Sequence, residues 1–260
     1  MLVAKIHPTA IIDATAELDS SVEVGPFSII GAKVKIDAGT RVAGHVMING
    51  PTHIGKNNHI FQYSSLGEAP QDKKYNGEPT LLEIGDNNTI REFCTFNRGT
   101  VQDKNTTKIG SDNWIMAYVH IAHDCQIGNH TILANNSSLA GHVDIDDYAI
   151  LGGFTLIHQF CKIGSHVITA VGSVVFKDIP PYVMAAGYDG KPHGINAEGL
   201  KRRGFSPESI LQIKRAYKAL YRNGLSLEEA KIELASMQKN TPEISLLTEF
   251  LSKSTRGIVR

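Results

Sequence analysis

Large aliphatic side chains return at every sixth residue from Ile6: Ile12, Leu18, Val24, Ile30, Ile36, Val42, Ile48, Ile54, Ile60 and Leu66 follow without a miss. The rhythm resumes at Ile84, Ile90 and Phe96, then again from Ile109 to Ile163, and Thr169 is the one polar interruption before Val175. A second register, four residues behind each large one, holds smaller side chains such as Val22, Ser28, Val34 and Thr40, and later Cys125, Thr131, Ser137 and Ala149. An α-helix repeats near 3.6 residues and an antiparallel sandwich places turns every eight to twelve, so a period of six fits neither. It is the hexapeptide repeat of a parallel β-helix, in which the large residue points inward and neighbouring coils complete each other's hydrogen bonds about 4.8 Å apart. Small or turn-forming residues directly after the large one, as at Gly25, Gly85 and Gly128, predict a corner that needs a permissive backbone at that position.

Two stretches break the array, near 67–83 and 97–108, and the array spans 1–189. From 190 to 260 the pattern predicts a small α-helical domain: Ser206, Pro207 and Glu208 open one helix, Ser226 and Glu229 form a capping box for a second, and Thr241, Pro242 and Glu243 open a third. Lys plus Arg equal Asp plus Glu at 26 each, which removes any general attraction to nucleic acid or an anionic membrane. The balance hides two halves, because residues 190–260 carry 13 Lys/Arg against 7 Asp/Glu, net +6, and the array is therefore −6. Solvated helix faces account for that surplus, or else an acidic or phosphorylated partner does; Lys214, Lys218 and Arg222 stand four apart on one helix face. With 42% hydrophobic and 20% charged residues the chain is globular. No window has the apolar length of a membrane span and Met1–Ala10 lacks the run of a signal peptide, so a cytoplasmic protein is expected.

The candidate chemistry is histidine. Cys94, Cys125 and Cys161 all fall in the small inward register, where core packing explains them. On an eighteen-residue coil the hexads at Ile121, Leu139 and Ile157 stack, placing His123, Gly141 and Gln159 in one column and Asp124, His142 and Phe160 in the next. His158 stands beside that column and His120 ends the preceding hexad. One histidine on such an edge is an ordinary exposed turn residue; four with an aspartate read as a site. His123 suits a general base whose tautomer Asp124 would fix, and the Gly141 amide would receive a developing oxyanion. No serine sits in a nucleophile elbow, which favours direct transfer. The first insertion presents Gln71, Asp72, Lys73, Lys74 and Tyr75, a polar loop that is either functional or inert. Lys201, Arg202 and Arg203 suit phosphate oxygens, or form a solvated charge run.

The segments His120–Cys125, Leu139–His142, Ile157–Cys161 and Asn196–Phe205 together resemble the UDP-N-acetylglucosamine acyltransferases of lipid A biosynthesis, over essentially the whole chain. The general rule for parallel crossovers would make the coil right-handed. The resemblance implies instead a left-handed parallel β-helix, mainly β, followed by a small C-terminal α-helical domain. It implies transfer of an (R)-3-hydroxyacyl chain from acyl carrier protein to the 3-hydroxyl of the sugar in UDP-N-acetylglucosamine, by a homotrimer with its sites between subunits. No cofactor, metal, nucleic acid or membrane span belongs to this reading. His123 would be the base, Asp124 its orienter and Gly141 the oxyanion donor. Asp72, Lys74, His120, His142, His158 and Gln159 would line the sugar and acyl sites, while Asn196, Glu198, Arg202 and Arg203 would hold the nucleotide. The chain departs from the family at Tyr188, where asparagine is common after glycine, and at Val171, where glycine is frequent. Val171 would close the far end of the acyl channel, and it is expected on the same edge as Gln159.

Three rival functions are weaker. A γ-carbonic-anhydrase-like hydratase would take His123 with His142 or His158 as metal ligands, but that family's signature segments are absent. The N-acyltransferase of the same pathway usually carries a large domain ahead of its hexads, which here begin at Ile6. A purely structural β-helix would repeat polar residues in flat outward rows, and the outward residues here are irregular.

Overall fold

The computed structural model describes residues 4–260. Strands of two to five residues build three sheets, of eleven, nine and eight strands, and sequential strands rotate through the three in turn. The result is a triangular parallel β-helix. The first face begins with Lys5–Ile6, the second with Ile11–Ile12 and the third with Glu17–Leu18. Ile121 pairs with Leu139 and Leu139 with Ile157, so one coil takes eighteen residues. Every position in the large register from Val24 to Ile163 is buried, and so are the small-register residues from Val22 to Cys161. Ile6 is 39% exposed because it caps the open end of the prism. Thr169 is tolerated because its hydroxyl accepts from the Gly152 amide at 2.9 Å and pairs with Thr155 Oγ1 at 2.8 Å, so its own buried oxygen is satisfied. Burial also pushes the thiols of Cys94, Cys125 and Cys161 up to about 12, so they are packing groups.

The corners correct one expectation. The left-handed backbone falls two residues after the predicted glycine, at Phe27, Asn57, Asn87, Asp112 and His130 for example. Gly85 itself is needed for close approach: a β-carbon there would lie 2.8 Å from the Gly110 carbonyl of the next coil. Because the left-handed residue recurs every eighteen positions, its side chains stack in columns along each edge. Between faces one and two run Phe27, His45, Tyr63, Phe93 and Tyr118, with ring centroids 4.8 to 5.2 Å apart. Between faces three and one run His130, Tyr148, His166 and Tyr182.

Ile60 pairs with Ile90 and Phe96 with Ile121, so the insertions lengthen two coils to thirty and twenty-five residues. Both are shorter as loops than the sequence suggested, since Leu81–Ile84 and Thr106–Ile109 rejoin the third face. Val183–Ala186 and Lys191–Ile195 close the first sheet as an antiparallel hairpin, and the expected boundary at 189/190 falls inside it. Four helices follow: α1 (Ala197–Arg202), α2 (Pro207–Tyr221), α3 (Leu227–Gln238) and α4 (Ser245–Lys253). Ser206 caps α2, the capping box at Ser226 and Glu229 is formed, and Pro242–Ile244 makes a 3₁₀ turn before α4. The short α1 was not expected. Among the described residues no helix is long and apolar enough to cross a membrane.

Leu139→Ala, which empties a fully buried inward position, is expected to destabilise the fold by about 2–5 kcal/mol in urea unfolding. Lys35→Ala on the charged third face should change stability by no more than about 0.5 kcal/mol.

Candidate active site

Both insertions leave the second face and return on the third, and the histidine coils turn the same corner directly beyond them. One edge therefore collects the irregular loops and the cluster. His123 Nδ1 lies 2.9 Å from Asp124 Oδ2, with the His123 side chain 14% exposed and the Asp124 side chain fully buried. Thr100 donates its amide to both Asp124 oxygens at 3.0 Å and its hydroxyl to Oδ2 at 2.6 Å. Burial alone would raise the Asp124 carboxyl, but the hydrogen bonds from His123 and Thr100 hold it below the ordinary carboxylate range. An ionised Asp124 makes Nδ1 of His123 the donor and leaves Nε2 with its lone pair free. Gly141 lies against that outer side of the ring: a β-carbon there would meet His123 Cε1 at 2.6 Å and Nε2 at 2.8 Å. Gly141 N–H donates to no group among the described residues, whereas the amides of Lys56, Asp86, Ser111 and Asn129 at the same corner position donate to side chains of the next coil.

His142 sits edge-on to His123 at 4.9 Å and stacks on Phe160 at 4.3 Å. Its Nδ1 is 2.7 Å from Asp103 Oδ2 and 3.9 Å from Asp124 Oδ2. His120 Nδ1 pairs with Thr95 Oγ1 at 2.8 Å, and burial pushes its imidazole below the usual histidine value. His158 stands one coil further on, where Nδ1 is 3.2 Å from the Gln159 carbonyl and the ring leans on Phe176. One donor atom from each of His123, Asp124 and His142 lies within 4.8 Å of the others, the spacing of a possible metal site. The hydrogen bonds from His123 and Thr100 already occupy the carboxylate of that set.

The remaining predicted residues lie outside the histidine cluster. Asp72 and Lys74 are on the first insertion, where Asp72 accepts from the Lys74 amide at 3.0 Å. That loop is fastened by Arg98, which donates to the carbonyls of Gly50 and Gly67 and to the Tyr75 hydroxyl. Asn196 caps α1 by accepting from the Gly199 amide and donates to the His166 carbonyl, so both ends of its buried side chain are engaged. Glu198 and Arg202 are exposed on α1. Arg203 donates to the Tyr148 carbonyl at 3.0 Å and to His166 Nδ1 at 3.3 Å, on the edge between faces three and one. Val171 is 76% exposed on the edge between faces one and two, before Gly172. This corrects its expected placement beside Gln159: twelve residues are two hexads, which turn two corners of a three-cornered coil. The sequence reading missed Thr95, Arg98, Thr100, Asp103 and Lys104. For Arg98, Thr100, Asp103 and Lys104 the signal was available in the position of the second insertion, immediately before the coil that carries His120–Asp124; Thr95 lies on the strand before it.

A parallel β-helix with a histidine–aspartate pair on one edge defines a transferase of the hexapeptide-repeat class, and residues 106–141 match the bacterial transferase hexapeptide model. Residues 178–259 match the second domain of UDP-N-acetylglucosamine O-acyltransferase. The acyl-[acyl-carrier-protein]–UDP-N-acetylglucosamine O-acyltransferase of Thiobacillus denitrificans is 60% identical over 99% of this chain and 100% of its own length. That of Janthinobacterium sp. is 60% identical over 98% of this chain and 99% of its own. Among solved structures, the UDP-N-acetylglucosamine acyltransferase of Francisella novicida superposes with a TM-score of 0.97 at 45% identity, covering 98% of this chain and 94% of that one. The chain belongs to the UDP-N-acetylglucosamine O-acyltransferase family.

Burial, then the Arg203 charge, lowers His166 to about 4. Between pH 6.5 and 4 the unfolded chain binds a proton at His166 that the folded chain refuses, so acid favours unfolding. This contribution is fully present above pH 6.5 and should fall by up to about 3 kcal/mol as pH drops to 4. Urea midpoints measured across that range should decline less steeply in His166→Phe; equal slopes would remove His166 as the cause.

Proposed function

We propose that this protein transfers an (R)-3-hydroxyacyl chain from acyl carrier protein to the 3-hydroxyl of the sugar of UDP-N-acetylglucosamine, in lipid A biosynthesis in the cytoplasm. The observation that carries the reading is the His123–Asp124 pair, with its free Nε2 edge faced by a glycine. His123 Nε2 takes the proton of the sugar hydroxyl as that oxygen attacks the thioester carbonyl, and Asp124 stabilises the imidazolium that forms. The Gly141 amide receives the carbonyl oxygen as it becomes an oxyanion. Collapse breaks the carbon–sulfur bond, and the departing carrier thiolate recovers the proton from His123. His120, His142, His158, Gln159, Asp72 and Lys74 line the same edge for the sugar and acyl groups. The exposed Lys214 and Lys218 on α2, with Arg222 at its C-cap, offer the acidic carrier protein a docking face.

The active form is a homotrimer. Faces one and two carry outward Trp114, Ile132, Ile150, Ile11, Met47 and Leu156, and they meet at an edge of exposed aromatic rings. The third face carries Lys35, Lys108, Asp144 and Lys162 instead. Beyond Lys5, Glu23 and Arg41 at the start of face one, a wedge with two adjoining apolar faces and one charged face closes on itself as a ring of copies. Such a ring also joins what one chain keeps apart, since His123, Val171 and Arg203 stand on three different edges. Glu198, Arg202 and Arg203 then hold the nucleotide end on the helix that Asn196 caps, and Val171 closes the acyl channel.

Mass analysis of products from UDP-N-acetylglucosamine and a ladder of hydroxyacyl carrier proteins tests the reaction directly. His123→Ala should keep the trimer mass in light scattering and lose about 10²- to 10⁴-fold in turnover; near-normal turnover would refute the assignment. Val171→Gly should shift the preferred acyl chain to longer lengths with the UDP-sugar KM nearly unchanged, because each methylene that a packed channel rejects is worth about 1–3 kcal/mol. An unchanged product ladder would mean that another residue measures the chain.

A further inference from the structure

The second insertion is more than a connection. Thr100 is its hub: the amide and hydroxyl bind Asp124, and the carbonyl accepts from the Asn105 amide at 3.0 Å. Lys104 fastens the other side, donating to Asp144 Oδ1 at 2.5 Å while Lys162 donates to Oδ2 of the same carboxylate at 2.6 Å. Between these two anchors Asp103 projects its carboxylate to His142. Two histidine–aspartate pairs thus stand side by side, His123 with Asp124 and His142 with Asp103.

We propose that Asp103 is a positioning residue, which holds the His142 ring away from Asp124 so that Asp124 serves His123 alone. The inference rests on the acyl-transfer reading above and deepens it. Asp124 Oδ2 already accepts from His123 and from the Thr100 hydroxyl and amide, which leaves it no free lone pair. His142 Nδ1 is the next donor, 3.9 Å away. Phe160 lies nearly parallel to the His142 ring, with 7° between the planes, and such a contact resists tilting more than in-plane sliding. Without Asp103 at 2.7 Å, the only other carboxylate within 4 Å of His142 Nδ1 among the described residues is Asp124. A slide of about an ångström would let His142 bond to Asp124, draw the carboxylate from His123 and misplace the base. Asp103 therefore acts on catalysis through His142.

Asp103→Ala should lower kcat roughly tenfold while the UDP-sugar KM stays within about twofold, the size of effect that a small misplacement of a catalytic group produces. In substrate-free protein labelled with ¹⁵N-histidine, the low-field His123 Nδ1–H resonance should shift or broaden. Asp103→Asn keeps an oxygen that accepts from His142, and should restore both readouts to within about threefold of the parent. In a His142→Phe background, Asp103→Ala should have no further effect. Parental kcat and an unmoved resonance in Asp103→Ala would overturn the proposal, as would an undiminished effect in the His142→Phe background. The resonance needs no substrate, so a protein that acylates nothing but whose signal moves would refute the acyl-transfer reading and leave the positioning intact.

Discussion

Parallel stacking of eighteen-residue coils is the constraint on which the rest depends. A strand of two residues has almost no stability alone; it persists because the strands above and below satisfy its amides and because its inward side chain joins a continuous aliphatic column. Ile121 over Leu139 over Ile157 is one such column, with all three side chains buried. Fixing the inward residue fixes the phase of the corner beside it. This is why His123 faces Gly141, and why Asp124 and His142 occupy the same left-handed corner position one coil apart.

A rigid edge alone would leave these side chains standing in solvent. The second insertion supplies what the repeat cannot, a Thr100 hydroxyl and amide aimed at a buried carboxylate and an Asp103 carboxylate at His142. Burying Asp124 is unfavourable for its charge, and the three groups that bond it reverse the balance. Regular coils set the spacing and an irregular loop sets the electrostatics. The same division recurs at the far edge, where Arg203 from beyond α1 packs against the His130–Tyr148–His166–Tyr182 column and ties the helical domain to the prism.

The histidine columns were legible in the sequence because hexad phase is counted locally and survives as long as no residue is inserted. The same counting failed for Val171, where the count was carried along the chain without turning the corners. It failed in a different way for the glycines after each large residue: Gly85 reads as a flexible corner, yet its missing β-carbon makes room for the next coil while Asn87 takes the left-handed backbone. Asn196 reads as a polar residue beside a basic run and is a buried helix cap with both ends engaged.

The sequence by itself determined the period, the inward residues, the coil length and therefore which side chains stack on one edge, because each of these follows from a six-residue repeat that every coil obeys. Only the tertiary structure decided what reaches that edge from outside the repeat. Thr100, Asp103 and Lys104 meet Asp124, His142 and Asp144 across 24 to 40 residues of chain, at an angle set by how one loop folds back over the next two coils. No local pattern encodes that return, since its partners become neighbours only after the coils beneath them have stacked.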